Sequence, residues 1–132
     1  MNGRLAYVDT SAFVKAPLGE REARAMADAA DAWGMRASSA VLRVEATRAA
    51  ARVGPAAVDA VSAALRRVVL VPVDDEVLDI AVHVGDPAVR SLDAIHLATA
   101  LSLGDDLGML LTYDARMADA ARSLGIPVSS PS

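Results

Sequence analysis

The chain has no cysteine. That excludes disulfide staples, thiol catalysis and cysteine-ligated zinc, and it agrees with a reducing, cytoplasmic location. Aromatic residues make up only 3% of the 132 positions, so the core has to be packed from small aliphatic side chains. No apolar run approaches the ~18 uninterrupted residues of a membrane span. Asp9 interrupts the apolar run nearest the N-terminus, which does not follow the basic-then-apolar layout of a secretory signal. Lysine occurs once, and arginine supplies the other twelve of the 13 basic residues. The net charge of −4 does not advertise a nucleic-acid binder, but arginine is the better bidentate phosphate ligand, so bulk charge argues only weakly against a nuclease.

What is present is a hydrophobic chain, 54% apolar, which excludes disorder and is long enough for one domain with a real core. Strands are expected near 4–9, 35–38, 68–73, 108–113 and 127–129. The run Val68-Val69-Leu70-Val71 is uniformly apolar, as expected of a strand covered on both faces. Helical patterns lie between the strands. Over 19–34, Ala23, Met26, Ala27, Ala30 and Trp33 form one stripe, a core face or a surface for a partner helix. Ser39 is expected to cap a helix to about Val53, and Gly54-Pro55 ends it and starts another to about Arg67. Asp74 is expected to cap a helix ending near Gly85, and Ser91 one running over 92–103. A helix opened by Asp114 ends at Leu124-Gly125, before Pro127. There is no linker or internal repeat. Alternating strands and helices imply one α/β domain over 1–132, with a doubly wound parallel sheet flanked by helices.

Four acids interrupt this pattern. Asp9 and Asp114 each end an apolar strand and open a helix. Glu45 shares a helical stripe with Leu42 and Ala49, which turns it toward the protein. Asp93 stands in the first turn of a helix that is apolar nearly all round. Ligands in open α/β sheets bind beyond the carboxyl ends of strands where strand order reverses, so neighbouring first and fourth strands would bring Asp9 and Asp114 together there. Clustered carboxylates raise one another's pKa, and burying them unpaired is costly. A hard cation resolves the conflict, and an all-oxygen donor set favours Mg²⁺ or Mn²⁺ over Zn²⁺. Such ions lower the pKa of bound water and neutralise phosphoryl oxygens, chemistry suited to phosphodiester hydrolysis.

Each acid also has a local explanation. Asp9 and Asp114 fit helix N-caps, Asp93 favours a helix dipole, and Glu45 could pair with Arg48 or Arg52. Asp119 stays open as a peripheral metal helper. His96 reads as a packed core histidine and His83 as an exposed or interfacial one. Thr10, Ser11 and Thr112 flank the strand-end acids, where their hydroxyls could orient water or phosphate, or simply cap helices. Arg43, Arg66 and Arg67 read as solvated, with RNA phosphate contact as the other reading.

On these residues the chain resembles the PIN-domain ribonucleases, specifically VapC-type toxins of bacterial toxin–antitoxin pairs. Tyr7-Val8-Asp9-Thr10-Ser11-Ala12 resembles the family's opening strand and first acid. Ser39-Ala40-Val41-Leu42-Arg43-Val44-Glu45 resembles the helix with its glutamate. Leu92-Asp93-Ala94-Ile95-His96-Leu97-Ala98-Thr99-Ala100 and Leu111-Thr112-Tyr113-Asp114-Ala115-Arg116-Met117 resemble the third and fourth acidic motifs, and Gly125-Ile126-Pro127-Val128 the closing turn and strand. The resemblance implies that Asp9, Glu45, Asp93 and Asp114 are both catalytic and the Mg²⁺ ligands, with Mn²⁺ able to substitute, and that Ser11 and Thr112 assist. It further implies a homodimer, metal-dependent cleavage of tRNA or ribosomal RNA, and inhibition by a VapB-type antitoxin lying in a groove that includes the 23–33 stripe. In-line attack by water on phosphorus at one or two Mg²⁺ ions is expected to leave 5′-phosphate and 3′-hydroxyl ends. The scarcity of lysine departs from more basic relatives. Two rival readings are a Mg²⁺-dependent phosphatase with an aspartyl nucleophile, whose usual second Asp is here Ser11, and a non-catalytic interaction module.

Overall fold

The structure, a computed structural model, describes residues 3–132; the first two residues of the expected 1–132 domain lie outside them. The element order is β1 (Leu5–Val8), α1 (Thr10–Phe13), α2 (Ala23–Asp31), β2 (Met35–Ser39), α3 (Val41–Ala51), α4 (Pro55–Leu65), β3 (Val69–Val71), α5 (Asp75–Ala81), α6 (Ser91–Ser102), a single 3₁₀ turn, β4 (Leu107–Leu111), α7 (Ala115–Ser123) and β5 (Val128–Ser129). Among the described residues the sheet has five strands in the order β3-β2-β1-β4-β5, every pairing parallel. The chain therefore winds outward from β1 in one direction and then resumes on its other side with β4. The reversal falls between β1 and β4, where Val8 pairs with Leu111.

Alternation along the strands divides the interior into two cores. Ala6 and Val8 of β1 and Leu111 of β4 join Phe13, Met26, Leu42, Ala46 and Val61 on one face. Tyr7 and Leu110 point the other way, toward Leu97, Met117, Ala121 and Ile126. Burying a leucine such as Leu42 or Leu97 contributes about 1.5–3 kcal/mol. Alanines such as Ala46, Ala50, Ala98 and Ala121 are also fully or almost fully buried, as the shortage of aromatics requires. Where Trp33 does enter the first core, it crosses Gly108, whose position would overlap the indole if it carried a Cβ.

The structure departs from the sequence expectations at element ends. β3 is a three-residue edge strand with Val69 exposed, so it is not covered on both faces. α2 starts at Ala23 because Glu22 takes a left-handed conformation (φ 66°); its side chain pairs with Lys15 at 3.6 Å. α5 stops at Ala81, before Gly85. Ser91 lies inside α6; the residue at the cap position is Arg90, with no side-chain cap bond. Asp74 does cap α5, accepting from Val77 N at 3.0 Å. Ser39 supports the start of α3 through Val41 N, although Ala40 occupies the cap position. The helix expected to open at Asp9 is the short α1, with Asp9 at its cap position.

Candidate active site: an acid cleft beside the strand reversal

β1 ends at Val8, and Asp9 turns the chain into α1 with its Oδ1 accepting from Ala12 N at 3.0 Å. Ser11 Oγ donates to the same oxygen at 2.7 Å, and Thr112 Oγ1 donates to Oδ2. The strand ends are laced further by Tyr113 N–H to Ser11 Oγ (2.9 Å) and Asp114 N–H to Thr112 Oγ1 (3.0 Å). Asp114 caps α7, its Oδ1 accepting from Arg116 N at 2.9 Å and Met117 N at 3.3 Å. The capping reading of both aspartates is therefore correct as far as it goes. In each case the cap amides fall on Oδ1 alone.

Glu45 enters from α3, half-buried at the edge of the face formed by Leu42, Ala46 and Ala50. It pairs with neither Arg48 nor Arg52. Its Oε1 accepts from Thr10 Oγ1 at 2.8 Å and lies 2.8 Å from His96 Nε2. Asp93 stands in the first turn of α6, with Arg90 Nε 3.6 Å from its Oδ2. Together Asp9, Glu45, Asp93 and Asp114 line one cleft of about 420 Å³, with Thr10, Ser11, Arg90, Ser91, Leu92 and His96. Of the proposed assisting hydroxyls, Ser11 lines the cleft while Thr112 is fully buried behind Asp9. Both direct their protons to Asp9, not to the open space. Asp119 is not brought in: it is exposed, pairs with Arg122 at 3.6 Å, and lines a neighbouring depression.

The carboxyls differ in charge cost. Burial raises the pKa of Asp9 above its usual value, against the hydrogen bonds from Thr112, Ser11 and Ala12. Asp93 is raised too, first by burial and then by the charge of Asp114. Burial also acts to raise Glu45, but the hydrogen bonds from His96 and Thr10 outweigh it, and the net shift is downward. His96 is a packed core histidine, as expected, but its outer nitrogen reaches Glu45 and it lines the cleft. Its place three residues after Asp93 on one helix face was the available signal. Arg90 was not anticipated at all.

A hard divalent cation suits this donor set: four carboxylates, no thiolate, and two acids, Asp9 and Asp93, whose pKa values burial pushes up while no cation is bound. Among the described residues, no group of three or more carboxylate or imidazole side chains converges closely enough to grip one ion. Mg²⁺ commonly keeps several waters and uses only one or two carboxylates, so the cleft fits such an ion without a closed protein cage.

A family model described as the PIN domain matches residues 6–123. The chain belongs to the PIN-domain family. Over 126 residues, covering 96% of this chain and 97% of the relative, it is 46% identical to Ribonuclease VapC46 of Mycobacterium tuberculosis. It is 39% identical to Ribonuclease VapC35 and 34% identical to Ribonuclease VapC47 of the same species, with the same coverage. The PIN fold also superposes on a toxin–antitoxin complex from Klebsiella pneumoniae, with a TM-score of 0.71 and 24% identity, covering 96% of this chain and 98% of that one. Against M. tuberculosis VapC20, described as a Sarcin-Ricin loop cleaving toxin, the TM-score is 0.70 at 19% identity, covering 87% of this chain and 94% of that one. These two likenesses establish the fold. No helix among the described residues is long and apolar enough to cross a membrane.

Proposed function

We propose that this PIN domain is the ribonuclease toxin of a VapBC-type pair, a Mg²⁺-dependent endonuclease in which Mn²⁺ can substitute, acting on tRNA or ribosomal RNA in the cytoplasm. The observation that carries the reading is the convergence of Asp9, Glu45, Asp93 and Asp114 on one cleft beside the β1–β4 reversal, in a chain 46% identical to a named VapC ribonuclease. One or two of these carboxylates would hold the cation directly, and the others would hold it through its bound waters. When bound, it supplies charge neutralisation at a phosphoryl group and a more acidic water.

The residues around the acids have supporting tasks. Ser11 and Thr112 hold both oxygens of Asp9 from the protein side, which fixes the carboxylate in its buried position. Arg90 is largely exposed at the cleft wall, where its guanidinium can meet an incoming RNA phosphate bidentately.

Antitoxin inhibition is supported by a second concavity, an apolar groove of about 390 Å³ between α1–α2 and α4. Met26, Ala27 and Ala30 of the expected stripe line it with Phe13, Ala60 and Ala64, a surface suited to an amphipathic segment. Ala23 and Trp33 do not line it. Self-association is supported by the exposed apolar side chains Leu78 and Val82 on α5 and just beyond it.

The decisive experiment incubates purified protein with structured RNA in Mg²⁺, Mn²⁺ or chelator and maps the new 5′ ends. Divalent-dependent internal cuts with 5′-phosphates support the reading. Turnover of small phosphomonoesters with a trapped phospho-aspartate would replace it with the phosphatase reading. No cleavage together with no Mn²⁺ binding would leave an interaction module.

A further inference from the structure

Glu45 is held in an unusual way for a half-buried acid: both recorded donors, Thr10 Oγ1 and His96 Nε2, fall on Oε1, and among the described residues none falls on Oε2. The imidazole that supplies one of them is 2% exposed and is itself held from behind. Tyr7 is completely buried, its ring meeting that of His96 edge-on at 5.8 Å between centroids. The Tyr7 oxygen accepts from Ser39 N–H at 3.0 Å and lies 2.6 Å from His96 Nδ1. The Glu45 carboxylate can only accept, so the nitrogen facing it, Nε2, carries the proton. In the neutral imidazole Nδ1 is then the accepting nitrogen, and the phenol's proton is directed to it. Nε2–H donates to Glu45 Oε1 at 2.8 Å.

We propose that Tyr7 and His96 form a positioning relay for Glu45, which turns Oε1 to the protein and presents Oε2 to the cleft as the oxygen that meets the divalent cation. The proposal rests on the reading of Glu45 as a metal ligand and adds two residues to it. The relay takes its parts from β1, α6, α3 and the end of β2, so it is complete only when the sheet is assembled. A glutamate on an open helix face samples several rotamers. Two donors on one oxygen, one of them a ring that packing prevents from turning, restrict it to an orientation with the other oxygen free.

The test is calorimetric titration of the full chain with Mn²⁺, beside ¹⁵N imidazole spectra and thermal melts. His96→Ala is expected to weaken Mn²⁺ binding by about 10–100-fold, the usual cost of losing a group that orients a ligand. His96→Gln, which keeps an amide donor near the Nε2 position, should recover part of that loss. Tyr7→Phe should weaken binding in the same direction and shift the His96 proton away from Nε2 alone. In a Glu45→Gln background, His96→Ala should change Mn²⁺ affinity little further.

The wild-type spectrum must show the proton on Nε2; a proton on Nδ1 overturns the relay whatever the variants do. Wild-type Mn²⁺ affinity in both His96→Gln and Tyr7→Phe, with only their melting temperatures lowered, would make these residues structural and overturn it as well. If His96→Ala does not fold, those two variants carry the comparison. Wild-type metal binding and RNA cleavage by Glu45→Gln would instead overturn the reading of Glu45 itself, an outcome separable from the others because the tautomer spectrum is unaffected by it.

Discussion

The acid cleft and the apolar groove are two concavities of similar size on one small sheet, built on opposite principles. The cleft draws its acids from the ends of β1 and β4 and from α3 and α6, and each carboxylate has a specific hydrogen-bond or ion-pair partner. The groove is walled mostly by alanine and other aliphatic side chains, with Asp31, Arg36 and Arg67 among its few charges. A site for a charged ligand needs oxygens fixed in direction, and so needs many tethers. A groove for an apolar segment needs only missing side-chain volume. The cleft should therefore be sensitive to changes of charge without changes of shape, and the groove to added bulk.

The largest separation of the two is expected from removing divalent metal. Chelation should take RNA cleavage to background while an antitoxin-derived peptide binds with unchanged affinity, measured by initial rates and by titration. Asp9→Asn comes next. Losing a cation ligand and its share of several kcal/mol of transition-state stabilisation should slow cleavage by at least ~100-fold. The melting temperature should hold or rise, because burial already disfavours the Asp9 charge. A variant that cleaves like wild type contradicts the cleft assignment. The converse change, Ala63→Glu, adds charge and bulk to α4 at the groove. It should lower antitoxin-peptide affinity by about 10–100-fold, or ~1.4–2.8 kcal/mol, and leave the cleavage rate as it was.

Smaller effects sharpen the electrostatic half of the comparison. Asp9 and Asp93 have pKa values raised in the folded protein, so above the ordinary aspartate range the folded state holds more protons than the unfolded one. Stability of the metal-free protein from these groups is present at low pH and lost as pH rises through the raised values. Glu45, lowered, contributes the other way: its stability is present above its ordinary range and lost as pH falls through the folded value. Asp93→Asn should lessen the decline on the rising side, and a series of melts at different pH that the substitution does not alter would contradict this. The smallest expected change is Arg90→Ala. Its exposed pair with Asp93 should be worth under ~1 kcal/mol of stability, with cleavage reduced a few-fold through weaker RNA contact.

Much of this was readable from local pattern. The strand runs, the caps at Asp9, Asp74 and Asp114, and the Gly54-Pro55 boundary depend on a few neighbouring residues and on rules of backbone satisfaction, so they survived folding with shifts of a few positions. The four acids were found because each broke a hydrophobic pattern. What sequence reasoning missed has a common character. Exposure of β3 follows from its place at the sheet edge, which no property of Val69 itself reveals. The start of α2 depends on the left-handed backbone of Glu22, which its neighbours in the chain do not announce. His96 looked like an ordinary core residue because its contact with Glu45 joins side chains 51 positions apart, and Arg90 took on meaning only beside Asp93 at the wall of the cleft.

By itself, the order of residues determined the alternation of strands and helices, an alanine-rich interior, an oxygen-only set of candidate ligands, and the resemblance to the PIN family that the comparisons bear out. The tertiary structure decided which carboxylate oxygens accept from protein donors and which do not. Asp9 gives both of its oxygens to protein donors, while Glu45 keeps one of its two clear. Hydrogen-bond direction depends on where partners from other elements come to rest, and only packing the helices on both faces of the sheet brings those partners within reach.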